Sequence, residues 1–387
     1  MSIIGPLVAV LFALRPTTIE PPDGQAFLGI FAETAVMKMA GMPAMPEIPE
    51  MPEMPDIKLP EGVKLPPGVT LPGQGAPMGM MMPGRPSRKL EVRLWSPGIA
   101  PDGATATLAI PEGLKLGPKL DLELYRPKPQ EGTVDDFMPG GVPADFTIKI
   151  YWGSSATVRD GQPQIIRWDS LSPEAKAAMR EQARKARQTR SYFYKPDWTT
   201  GYWPTGKAPG VVKKDAALEG HYALTTTYTG NVEIDVPEKV NFLAPLELSS
   251  PDFAKAPDLA QPLVFKWAAV PNVLGYHLAV MGMEGKSTLI IWTSSEVKTD
   301  LAVTYDYMQM ADVIARVKET SMMDPKRVDC TAPAGIFKDC DMVFGTMAGF
   351  GPGAALDKAQ PLPRVQTKTT LQMMLGGKMM KGMMERE

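Results

Sequence analysis

Histidine and cysteine are nearly missing from this chain of 387 residues: there are two of each. A zinc site of the usual imidazole and thiolate kind needs three or four ligands, so it would have to consume almost every candidate in the sequence. The serine-hydrolase elbow G-x-S-x-G is absent as well. Gly285-Lys286-Ser287 ends like a phosphate-binding loop, but Val280 stands where the first glycine of such a loop is required. His221 and His277 each fall inside an alternating, strand-like stretch, where a histidine more often serves structure than catalysis. An excess of charge of either sign is also missing. A net charge of −2 supplies no general attraction to nucleic acid or to an anionic membrane. Beyond residue 14 no apolar run approaches the ~20 residues that a membrane-spanning helix needs, so an integral helical membrane protein is not expected.

What the chain does have is proline, glycine and methionine, at 40, 35 and 27 residues, against a 44% apolar content sufficient for an ordinary core. Residues 1–26 open with MSIIGPLVAVLFAL, an apolar run of the length found in the hydrophobic part of a secretory leader, although no basic residue precedes it. Export to the periplasm or the exterior is the expectation. There, Cys330 and Cys340, ten residues apart, would suit a local disulfide.

Short apolar stretches broken by Pro, Gly and Asp turns predict a mostly β fold of two β-sandwich-like domains, with one or two helices and a long Met/Pro-rich low-complexity loop. The first domain is placed at 27–248. Its excursion, 40–88, repeats in threes as MPE, IPE, MPE, MPD, a period that favours polyproline II and lines methionines along one edge. Ser172, Pro173 and Glu174 form a helix-start signal for a basic helix over 172–190. Its cationic face is read as solvated, with a docking surface as the rival reading. The stretch SYFYKPDWTTGYWP that follows is dense in aromatics. Tyr192, Tyr194, Trp198, Tyr202 and Trp203 are either core or a partner surface, since aromatic faces bury much area at little entropic cost.

A second domain is placed at 249–353, with a helix insert at 307–322, and 354–387 is read as a Met-rich flexible tail. In the stretch PLVFKWAAVPNVLGYHLAVMG, followed by STLIIWTSS, a strand ends on Trp267, a proline-bearing turn follows, and Gly275-Tyr276 leads an alternating strand. This pattern resembles a fibronectin type III-like β-sandwich over residues 260–350. The resemblance implies a fold and carries no function. The chain as a whole looks like an exported, bacterial-type envelope protein.

Thioethers remain as the one specific chemistry. Met37, Met39, Met42, Met45, Met51, Met54, Met78 and Met80 recur at M-x-M and M-x-x-M spacings. Methionine sulfur is a soft ligand suited to Cu(I), and the spacing is similar to that of periplasmic copper-handling proteins. The same residues also make a pliable apolar surface for a partner, or a linker that tolerates any medium-sized hydrophobe. The function expected from the sequence is a non-enzymatic envelope or secreted binding or assembly protein, its partner a protein or glycan of the cell envelope. Soft-metal binding through methionine is the first alternative. A glycan-active enzyme with carboxylates far apart in sequence is the second.

Overall fold

The computed structural model describes residues 26–41, 84–126, 145–177, 197–205, 210–298, 307–355 and 365–378. Within them the chain is mostly β, as its patterning predicts. The strands in order are β1 (Phe27–Met39), β2 (Ser87–Pro97), β3 (Ala106–Ala109), β4 (Lys119–Asp121), β5 (Glu123–Tyr125), β6 (Thr147–Trp152), β7 (Gln164–Arg167), β8 (Trp198–Trp203), β9 (Val211–Val212), β10 (Gly220–Thr226), β11 (Val232–Val236), β12 (Leu248–Ser250), β13 (Leu263–Trp267), β14 (Gly275–Glu284) and β15 (Thr288–Thr293). Helix α1 (Met310–Lys318) precedes β16 (Asp329–Ala332), β17 (Met342–Ala354) and β18 (Val365–Gly376).

One 11-stranded sheet runs β5-β8-β2-β1-β18-β17-β14-β15-β6-β7, with β9 added to β2. Among the described residues there are two smaller sheets, β11-β10-β3-β4 and β12-β13-β16. Side chains alternate across a strand, so parity tells which face each core occupies. On β1, Leu28, Ile30 and Ala32 join the core beneath the four-stranded sheet, while Val36, of the same parity, joins the core beneath the three-stranded sheet. On β18, Val365 belongs to the first core and Leu371, Met373 and Leu375 to the second. Both small sheets therefore cover one face of a single shared sheet. The two sandwich halves have a wall in common.

The opposite face carries three smaller clusters. Ile148, Ile150, Met281 and Ile291 form one, Val313 of α1 packs with Met308, Ala348 and Phe350 in another, and Phe27, Phe31, Trp95 and Tyr307 make the third. The helix expected at 307–322 is present in a shorter form as α1, after Tyr307 and Met308 have packed into separate clusters.

Several expectations are revised. Part of the supposed tail, 354–387, is β18, paired parallel with β1 from Ile30↔Val365 to Met39↔Met374 and antiparallel with β17. Its polar stretch QTKTT disguises it, because those side chains are buried in the sheet rather than solvated. Residues 251–262 connect the antiparallel neighbours β12 and β13. The resemblance drawn for 260–350 is not among those revised: its strands are shared between two sheets, β13 and β16 in the three-stranded one and β14, β15 and β17 in the large one. Residues 173–177 are helical and Ser172 Oγ accepts the Ala175 amide at 3.2 Å, as the start signal requires; the rest of the basic helix lies outside the described residues. So do the leader, apart from residue 26, and 42–83 of the excursion.

Candidate binding face on the central sheet

Strands β1, β2 and β18 place charge on the face away from the two small sheets. Phe31 is the register partner of Glu91 and of Gln366, Glu33 that of Lys89 and Lys368, and Ala35 that of Thr370. With a period of two, Glu33, Glu91, Arg93, Gln366, Lys368 and Thr370 all project to one side. Arg93 is 1% exposed, and its Nε donates to Glu91 Oε1 at 2.6 Å. The guanidinium lies 4.6 Å from the centre of the Phe31 ring and 5.8 Å from that of Tyr307. Lys368 sets its Nζ 4.1 Å from the Tyr307 ring centre and 4.0 Å from Glu33 Oε1. Thr370 Oγ1 donates to the same Glu33 oxygen. Tyr307 in turn packs on Phe31, ring centres 4.6 Å apart. Each cation thus faces both a carboxylate and an aromatic ring, the two partners that stabilise a charge withdrawn from water.

Gln366 is 3% exposed and its side-chain oxygen accepts no hydrogen bond from any described residue. A buried acceptor left open costs ~1–3 kcal/mol, so it marks a place where a donor is favoured.

Strand β8 extends this face. Tyr202 is the register partner of Arg93 and Thr200 that of Trp95, so Trp198, Thr200 and Tyr202 share the charged side. Trp198 packs against the Phe27, Phe31, Trp95 and Tyr307 cluster, and both Trp198 and Tyr202 are half-buried. Trp203 has the other parity and is a core residue beneath the four-stranded sheet, not a partner-facing one. Tyr192 and Tyr194 lie outside the described residues.

The remaining sequence candidates disperse. Met37 and Met39 are half-buried on β1, on the charged side; Met42, Met45, Met51, Met54, Met78 and Met80 are outside the described residues. Cys330 on β16 and Cys340 before β17 are buried free thiols, not the expected disulfide. Burial pushes the Cys340 thiol up to about 12 and raises Cys330 as well, the reverse of an activated nucleophile. His277 is held neutral, pushed down to about 3 by burial and then by the Arg316 charge. His221 is exposed and pairs with its cross-strand neighbour Asp235 at 2.8 Å. Among the described residues no group of three or more His, Cys, Asp and Glu side chains is placed to hold a metal. A wide depression of ~810 Å³ on the four-stranded sheet, lined by residues such as Glu112 and Pro118, is open, and its one lysine, Lys115, is already paired with Asp215.

Sequence reasoning missed Glu33, Glu91, Arg93, Gln366, Lys368 and Tyr307. A partial signal was present: E-x-R within KLEVRLW is a period-two polar row opposite the apolar Leu90, Val92 and Leu94, whereas Q-x-K-x-T within VQTKTT lies opposite Val365, Thr367 and Thr369, two of them polar. Neither row shows what it will face. No protein-family model matches the chain, and no curated protein matches it.

Proposed function

We propose that the chain is a non-enzymatic binding or assembly protein of the bacterial cell envelope or the extracellular space, which meets a protein or glycan through strands β8, β2, β1 and β18. The observation that carries this reading is the row of half-buried Trp198 and Tyr202 beside the ion-paired Arg93, Glu91, Glu33 and Lys368. Aromatic faces stack on the C–H face of a sugar or on apolar side chains, and the buried, ion-paired Arg93 and Lys368 behind them hold these strands in a fixed register. Export, expected from the leader-like residues 1–26, would bring this face to the envelope, and a fibronectin type III-like reading of 260–350 belongs to the same proposal.

Co-sedimentation with purified peptidoglycan sacculi, together with binding to immobilised envelope proteins, tests it. The intact chain is expected to bind one of the two, and Tyr202→Ala combined with Trp198→Phe to weaken that binding at least ~tenfold with an unchanged circular dichroism spectrum, as loss of aromatic anchors does. Binding to neither, or unaltered binding by the double variant, refutes the proposal.

A further inference from the structure

Beyond that face, the charged side of β1 and β18 ends in methionine. The two strands are parallel neighbours, so their C-terminal ends coincide, and the register makes Met39 the partner of Met374 and Met37 that of Gln372. Alternation puts Met37, Met39 and Met374 on the same side, two from one strand and one from the next, with all three half-buried. Adjacent strands are ~4.8 Å apart and residues i and i+2 about 6.6 Å, within which three flexible thioether side chains can converge.

We propose that Met37, Met39 and Met374 form a thioether site for a soft monovalent cation, Cu(I) by its chemistry. Their backbone is already fixed: Gly84 donates its amide to the Met37 carbonyl at 2.7 Å and Ala40 to the Met374 carbonyl at 2.8 Å. Behind them, Phe344, the partner of Met374, and Met281, the partner of Phe344, continue an apolar row. Lys38 has the opposite parity and turns its Nζ to the Phe253 ring, 5.6 Å from the centre, so its charge stands off the sulfurs. Three neutral sulfurs favour a soft cation of low charge, and they need lose no proton to bind it, so affinity is independent of pH where a thiolate or imidazole site would not be. Both methionine-rich tracts also attach here. Gly41 and Gly84 flank the one between them in sequence, Lys378 precedes the other, and all three residues lie at this end of the sheet.

The test is a titration of the full chain, labelled at the methionine methyls, with Ag(I), a diamagnetic ion of the same softness, followed by NMR. Met37→Leu, Met39→Leu and Met374→Leu assign the three signals, and Leu conserves the volume of Met so that the fold is kept. The expected result is that these three methyls shift together and saturate at one ion per chain, while the core Met347 does not move and each Leu variant binds at least ~tenfold more weakly. The proposal is overturned if no methyl shifts, if these three shift only after other methionines are saturated, or if the Leu variants bind as tightly as the unaltered chain.

Discussion

Replacing Arg93 by methionine probes the charged face most directly. The side chain is 1% exposed, while that of its partner Glu91 is 20% exposed. Met keeps much of the aliphatic stem, so the change isolates the guanidinium: an ion pair at 2.6 Å and two ring contacts, at 4.6 Å to Phe31 and 5.8 Å to Tyr307. Breaking a buried pair costs ~3–5 kcal/mol, and desolvated cation–ring contacts are worth up to ~2 kcal/mol, though the two are not additive. A loss of about 4 kcal/mol is expected for Arg93→Met. Glu91→Gln should cost only about 1–2 kcal/mol, because the partly exposed position keeps an acceptor and reaches water. Arg93→Lys retains charge but loses the planar stacking and the fork, so it should recover less than half of the deficit. Urea unfolding reads all three as shifts of the midpoint at constant slope, and the Arg93→Met/Glu91→Gln double variant should fall short of the summed losses by 1 kcal/mol or more, as expected for directly coupled groups. A cost below ~1 kcal/mol for Arg93→Met, or one smaller than that of Glu91→Gln, would refute the assignment of Arg93 as the centre of the cluster.

His277 predicts a pH dependence. Its folded value is pushed down to about 3, against ~6.5 for the unfolded chain, so below pH 6.5 the unfolded state takes up a proton that the folded state refuses. Its stabilising contribution is complete above pH 6.5 and declines as pH falls toward 3, and His277→Asn should flatten that part of a stability-against-pH curve; an unchanged slope would contradict it. The raised thiols of Cys330 and Cys340 predict very slow alkylation by iodoacetamide at pH 8 in the folded protein and modification of both once guanidinium unfolds it. Mass spectrometry distinguishes the two states, and modification of either cysteine within minutes in the native protein would show that its burial has been misjudged.

Local patterning in the sequence determined the mostly β character, the strands within 263–293, the helix now seen as α1, and the Ser172 helix start. These are short-range properties: turn residues, period-two alternation and a capping hydroxyl act within a few neighbouring positions. Alternation also shows that Glu91 and Arg93, or Gln366, Lys368 and Thr370, share a side. It cannot tell which strand lies next to which. Only the tertiary structure joined β1 to β18 across more than three hundred residues, merged both sandwich halves on one sheet, and lowered Tyr307 onto the Arg93 and Lys368 charges. The physical reason lies in the backbone ladder, whose hydrogen bonds are the same for every partner strand, so that the choice among partners rests on side-chain burial and complementarity over the whole fold.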